Sequence, residues 1–441
     1  MQTEYQQRRQ RMMEKIGNGT AVFCSAPMAV MHNDVEYNFR QDSDVYYLTG
    51  FDEPETVVVL APHHAEHKFV LFVRPKDPEQ ETWTGHRVGV EAAKEKYGAD
   101  EVYSIADLDE KLPQYLEKAD RIYYHFGHDE TFNTRLLKHW RRQVRAYPKT
   151  GVGPIALEDP TLTLHSLRQV KSEAELTLMR QAADLAVDAH KLAMTISRPG
   201  MYEYEIQAEI EHHFYKRGGS PAYPSIVASG ANACILHYTH NRRQLQAGDL
   251  LLIDAGCAYE YYNSDITRTF PVSGTFTPEQ QIIYELVLKA QLAAIDQAKP
   301  GNPYAKLHET AVRVIAEGLL ELGLLRGDLE EIIKEEKYKP FYMHRTGHWL
   351  GMDVHDVGVY AYGETPYNLQ PGNVFTVEPG IYISPDIKPA EGQPEVPDRW
   401  KGIGVRIEDD VLITATGHDV LTAGVPKSIE AMEDLWQRGN A

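Results

Sequence analysis

The period of apolar and polar positions changes repeatedly along the chain, and each change marks an element. Residues 5 to about 16 have helical spacing, and TAVFCSAP, after the Gly17-Asn18-Gly19 turn, predicts a strand. The runs DVYYLTGF (44–51), TVVVLAP (56–62) and KFVLFVRP (68–75) predict further strands, interleaved with helices such as GVEAAKEKYG (89–98) and DLDEKLPQYLEK (107–118). Strands alternating with helices define an α/β domain, placed at residues 1–160. Residues 147–168, dense in Pro and Gly, read as a linker.

Helical spacing resumes at 172–196, with Leu176, Met179, Ala183, Leu185 and Ala186 along one face, and stops before Pro199-Gly200. A second helix ends at Gly218-Gly219. Strands follow at SIVASG (225–230), ILHYT (235–239), GDLLLIDAG (248–256) and EYYNSDITRTFPV (260–272). A helical section from about 278 to 322, broken at Pro300-Gly301, then leads to strands at 348–356, 373–383 and 401–414. Residues 161–441 therefore run twice from helices to strands. That order predicts an α+β domain whose two pseudo-duplicated halves share a curved sheet.

Composition narrows the function classes. Lys and Arg number 45 against 64 Asp and Glu, a formal charge of −19 that repels phosphate backbones and anionic membranes, so nucleic acid and membrane are not expected partners. The N-terminal stretch is polar, without the apolar core of a signal peptide, and no run of about 18 apolar residues occurs. Cys24, Cys234 and Cys257 form no C-x-x-C pair and read as small buried hydrophobes. A soluble cytoplasmic protein is expected.

Several acids stand where apolar residues belong. Period two puts Leu250, Leu252 and Asp254 on one strand face, and Asp265, Thr267 and Thr269 on another. A carboxylate at a core-facing position is costly unless it is paired or binds a metal. Alone, Asp254 reads equally as a strand-end cap and Asp265 as a turn residue. Residues 344–356 bring His344, His348 and His355 together with Gly347 and Gly351, which let other groups approach the backbone. In NVFTVEPG, Val374, Thr376 and Glu378 share a face, and Pro379 stops the strand. In GIGVRIEDD, Gly404, Arg406 and Glu408 do the same. Asp254, Asp265, His348, Glu378 and Glu408 together supply four carboxylates and one imidazole, a charge balance that two divalent ions complete. Oxygen-rich coordination without thiolate favours Mn²⁺, or Co²⁺ or Fe²⁺, over structural zinc. Two such ions can share a bridging hydroxide and polarise a carbonyl, which predicts amide hydrolysis.

These strings, with ILHYT, LIDAG, SDITRTFPV, HWLGMDVHDVG and TVEPGIYI, resemble the creatinase and aminopeptidase "pita-bread" metallopeptidases, and the aminopeptidase P branch in particular. FRQDSDVYYLTGFDEPE extends the resemblance into the N-terminal domain, which methionine aminopeptidases lack. The resemblance implies an Xaa-Pro aminopeptidase, an exopeptidase that releases the residue preceding a proline, with a metal-bridged hydroxide as nucleophile. Asp254 would hold one metal, His348 and Glu378 the other, and Asp265 and Glu408 both, with Glu378 also taking the proton of the bridging water. His237 and His355 would steady the scissile carbonyl and the tetrahedral intermediate, and His344 would lie near the proline. Tyr382 and Arg406 would bond around the site, and Asp34 would join from the N-terminal domain. A homo-oligomer, dimer or tetramer, is also implied. The alternatives are a dipeptide-restricted prolidase, a lyase of the same fold, and a scaffold protein that has lost catalysis.

Overall fold

Runs of Val, Ile and Phe, which favour the pleated backbone, build a six-stranded sheet at the N-terminal end of the chain. In the computed structural model, which describes residues 2–440, its strand order is Glu101–Ser104, Phe69–Val73, Val57–Leu60, Thr20–Cys24, Arg121–Tyr123 and Ala156–Glu158. Thr20–Cys24 pairs antiparallel with Val57–Leu60 and parallel with Arg121–Tyr123, so the sheet is mixed. Val22, Val59, Val70, Phe72 and Ile122 pack against Leu108, Leu112, Leu116 and Leu136 of the covering helices. The chain divides into two compact units, Met1–Arg168 and Gln169–Ala441, and this sheet organises the first.

Two readings in this unit are corrected. Residues Ser43–Thr49, expected as a strand, form a helix. The Asp42 carboxylate accepts the N–H groups of Asp44 and Val45, both at 3.0 Å, and Gly50 ends the helix at φ 66°. All its residues from Asp44 to Thr49 are buried, so the apolar run carries no period that separates helix from strand. The expected linker is ordered structure: the helix Glu130–Thr150, the edge strand Ala156–Glu158 and the helix Thr161–Arg168. Gly151, Gly153 and Pro154 mark the turn between the first helix and the strand, and Pro160 the start of the second helix, whereas Pro148 lies inside the first helix.

The second unit repeats helices and strands as the pattern predicts. The helices Glu173–Ile196 and Glu203–Lys216 precede the antiparallel strands Ile226–Ser229, Leu250–Asp254 and Thr267–Pro271. The helices Pro278–Asp296 and Ala305–Glu321 precede Val374–Val377, Gly380–Ile383, Ile403–Arg406 and Asp409–Ile413. One core joins both halves, with Ala186, Ile210, Leu251 and Phe270 from the first and Ile283, Ile315, Ile381 and Val405 from the second. Each long strand expected near the C-terminus is broken in two. Val374–Val377 pairs with Asp409–Ile413 and Gly380–Ile383 with Ile403–Arg406, in separate sheets, so the ladder changes sheet where Glu378-Pro379 faces Ile407-Glu408. Pro379 has no N–H to continue the ladder. Residues 235–239 and 348–356 are not strands either; they are loops, the second joined to the sheet by an isolated bridge between Trp349 and Phe375. Among the described residues, no helix is long and apolar enough to cross a membrane.

Candidate metal centre

The ten residues between Asp254 and Asp265 fold into a short excursion that returns on itself. Asp254 closes its strand opposite Thr267, and the Ala255 N–H donates to the Ile266 carbonyl at 3.0 Å. Gly256 permits this, because a Cβ there would lie 1.9 Å from the Ser264 carbonyl oxygen. The two carboxylates are thereby neighbours. The Tyr223 hydroxyl lies 2.6 Å from Asp254 Oδ1 and 2.5 Å from Asp265 Oδ1, sharing its proton between them.

The remaining groups come from the second half. His348 Nδ1–H donates to its neighbour's carbonyl, Trp349 O, at 3.0 Å, which fixes the tautomer and turns Nε2 toward the acids. That Nε2 is 3.4 Å from Asp265 Oδ2 and 3.6 Å from Glu378 Oε1. The loop can lie this close because Gly347 has no side chain; a Cβ there would meet the Thr376 carbonyl oxygen at 1.9 Å. The Thr267 hydroxyl donates to Glu408 Oε2 at 2.6 Å, and the Thr376 hydroxyl donates to Glu378 Oε1 at 3.3 Å. Asp265, His348 and Glu408 offer ligand atoms all within 4.8 Å of one another. Glu378 and Glu408 both sit at the breaks where the strands change sheet, a position that frees their side chains from the ladder's alternation.

Four acids in this space lack sufficient counter-charge. Burial pushes the Glu378 carboxyl up to about 7 against the pull of His348 and Arg406, and raises Asp254 and Glu408 as well, each beside further carboxylates. Burial opposes charge on His348, yet its hydrogen bond to Asp265 and the charge of Glu378 raise it to about 9. Arg406 donates to Asp254 Oδ2 at 2.6 Å and to the Tyr382 hydroxyl at 3.0 Å, leaving no second guanidinium on the cluster. The donor set fits divalent cations, which supply the missing positive charge and take the place of the protons held by His348 and the glutamates.

A cavity of about 1160 Å³ opens over this cluster, lined by all five candidate ligands and by His237, His344, His355 and Arg406. His355 stands edge-on to His348, ring centres 4.4 Å apart, and is held below its ordinary pKa by burial and by that neighbour. His344 Nε2 and the Tyr382 hydroxyl are 2.8 Å apart, so Tyr382 braces the site beneath the surface. Asp34 is in the first unit, on the exposed hairpin turn after Val30–His32. Sequence reasoning missed Tyr223 and Asp410. Asp410 accepts the Asp265 N–H at 3.1 Å and thereby sets that residue's backbone. The run Glu408-Asp409-Asp410 was its available signal, whereas Tyr223 lies on an irregular segment with no period to expose it.

A second cluster in the first unit, Asp44, His125 and His165, has comparable spacing. There Arg168 Nη1 donates to Asp44 Oδ1 at 2.7 Å while both imidazoles bond Oδ2, at 3.1 and 3.0 Å. The single carboxylate is already neutralised, and the group reads as a structural staple.

Five donors carried by two duplicated half-sheets define a class, the metal-dependent peptidases of the pita-bread fold. The sequence profile of metallopeptidase family M24 matches residues 177–415, that of the aminopeptidase P N-terminal domain matches residues 5–123, and the chain belongs to this family. It is 42% identical to the Xaa-Pro aminopeptidase of Escherichia coli (strain K12), over 98% of this chain and 97% of that protein. The structure of Pseudomonas aeruginosa aminopeptidase PepP superposes with a TM-score of 0.94 at 48% identity, covering 100% of this chain and 99% of the other. Zinc-substituted E. coli aminopeptidase P in complex with product gives 0.93 at 41% identity, with 100% and 99% covered.

Proposed function

We propose that this metallopeptidase releases the N-terminal residue from peptides with proline in second position. The observation that carries the reading is the convergence of Asp254, Asp265, His348, Glu378 and Glu408 on the floor of one cavity, beside three imidazoles. Identity of 42% across nearly the whole length to an Xaa-Pro aminopeptidase supports it.

In this reading Asp254 would hold one divalent ion, His348 and Glu378 would hold the other, and Asp265 and Glu408 would serve both. The oxygen-rich set suits Mn²⁺. Such ions, when bound, would supply an acidified water and polarisation of the scissile carbonyl. Glu378, on the cavity floor beside His348, would accept the attacking water's proton and pass it to the leaving nitrogen. His355 and His237 donate N–H to the carbonyl oxygen as negative charge gathers there. His344, fixed between Tyr382 and the Arg345 carbonyl, faces the proline side. Arg406 and Tyr223 hold Asp254 in place. An Xaa-Pro bond is a tertiary amide with no N–H, so a site that grips carbonyl oxygen needs nothing the substrate lacks. A cytoplasmic homo-oligomer completes the proposal.

The test is hydrolysis of Xaa-Pro peptides of increasing length by Mn²⁺-loaded protein, with metal content measured. Release of the first residue from tripeptides and longer chains, at about two ions per chain, is expected. Activity confined to Xaa-Pro dipeptides would assign a prolidase instead.

A further inference from the structure

Two guanidinium groups line the cavity, and they are not equivalent. Arg406 is buried and committed to Asp254 and Tyr382. Arg345 is exposed, and its guanidinium has no hydrogen-bond or ion-pair partner among the described residues; its backbone carbonyl accepts from His344. Cations on the neighbouring helices and turns, outside the lining, are paired: Lys339 with Glu336 at 2.6 Å, Lys306 with Glu309 at 3.7 Å and Arg313 with Glu330 at 2.8 Å. In a chain whose acids outnumber its bases by 64 to 45, a cavity-lining arginine left without a carboxylate stands apart.

We propose that Arg345 binds the C-terminal carboxylate of short substrates, so that Xaa-Pro-Yaa tripeptides with a free C-terminus are preferred. The proposal rests on the peptidase reading above. Arg345 directly follows His344, on the proline side in that reading, and precedes Thr346, whose carbonyl accepts the Glu378 N–H at 2.8 Å. The segment is rigidly tied to the centre. The Thr346 hydroxyl is 2.5 Å from the Tyr342 hydroxyl and 2.8 Å from His308 Nδ1, which anchors the backbone beneath Arg345. His308 shares the wall and is held down to about 4, first by burial and then by Arg345, so it stays neutral and adds no competing charge. A dipeptide carries its carboxylate on the proline itself, deep beside four acids. One more residue adds about 3.5 Å of reach and brings the carboxylate toward the exposed rim where Arg345 stands. A guanidinium forks onto a carboxylate through two parallel N–H donors, and an amide end offers it neither charge nor a second acceptor.

The experiment compares kcat/KM of the Mn²⁺-loaded enzyme for Ala-Pro-Leu, its C-terminal amide and a six-residue Ala-Pro peptide. Binding of the product Pro-Leu and of Pro-leucinamide is measured by calorimetry. The wild-type enzyme should favour the free acid over the amide by about tenfold in both readouts, the size of one exposed charge-assisted contact. In Arg345→Gln the ratio should fall to near one, and Arg345→Lys should restore part of it. A ratio unchanged in Arg345→Gln, or a wild-type enzyme that treats acid and amide alike while cleaving both, overturns the assignment and leaves the peptidase reading intact. If wild-type enzyme cleaves none of the three peptides, the peptidase reading fails as well.

Discussion

Asp265 touches three parts of the site: the Tyr223 hydroxyl, His348 Nε2 and, through its backbone, Asp410. Replacing it with Asn removes one negative charge from a place where two ions are to be held together. Asp265→Asn should abolish peptidase activity and lower bound metal below two per chain; full retained activity would refute the two-metal assignment. His355 has no such role. It reaches the acids only past His348, so His355→Ala should slow turnover by about a hundredfold while metal content stays near wild type, by the scale of one lost transition-state donor. Parallel loss of both would make it a ligand. Asp254, Glu378 and Glu408 were legible in the sequence because each puts an acid at the end of an apolar strand, and His348 because three histidines fall close together; Asp265 was legible only beside them. Tyr223, Thr267 and Thr376 were not, since a hydroxyl on a strand or beside a proline violates no pattern until its partner is known.

The segment that carries His237 has no regular structure, and a buried side chain on a neighbouring helix ties it down. Glu203, wholly buried in the first turn of Glu203–Lys216, accepts from Ser229 N at 2.8 Å, Asn232 Nδ2 at 3.1 Å, the Tyr238 hydroxyl at 2.8 Å and Arg243 N at 2.9 Å. Its position at a helix N-terminus favours the charge. Glu203→Gln would set an amide N–H₂ against those donors. It should cost about 2 kcal/mol of stability in urea unfolding and lower kcat/KM through a displaced His237, as expected when buried donors lose their acceptor. Unchanged unfolding would show that the loop holds itself. Glu203 also shows where pattern reading stops. As a helix-start glutamate it reads as surface, and ILHYT reads as a strand, because the acceptor that lets this loop remain irregular lies more than thirty residues earlier in the chain. The same limit applies to Ser43–Thr49, where complete burial erases the helical period, and to the broken strands at Glu378 and Glu408, where a change of sheet leaves no mark except Pro379.

At the scale of the molecule, a second charged layer lies behind the candidate metal centre. Arg268, fully buried, donates to Asp409 Oδ1 at 2.7 Å, and Lys427 donates to Asp409 Oδ2 at 2.7 Å. Burial pushes this carboxyl up, but Arg268 and Lys427 prevail and hold it at about 2, below its usual 3.8. A folded-state pKa lower than the unfolded one stabilises the protein above the unfolded value, and the stabilisation disappears as pH falls through the folded value. Asp409 should therefore contribute about 2 kcal/mol at neutral pH, lost between pH 4 and pH 2. In Asp409→Asn, thermal unfolding should begin at lower temperature at pH 7 and the difference from wild type should shrink below pH 4; a constant difference would exclude the linkage. Helix and strand order and the doubling of the second unit followed from periodicity. This layer did not, because Arg268 and Asp409 sit on opposite strand parities from the acids that drew attention.

The donors that converge on the cavity floor come from far apart in the chain, Asp254 near the middle and Glu408 close to the end. In the proposed assignment, a chain still emerging during synthesis cannot complete the site before Glu408 has been made, and a polypeptide stopped short of Glu408 should bind less metal and lack activity.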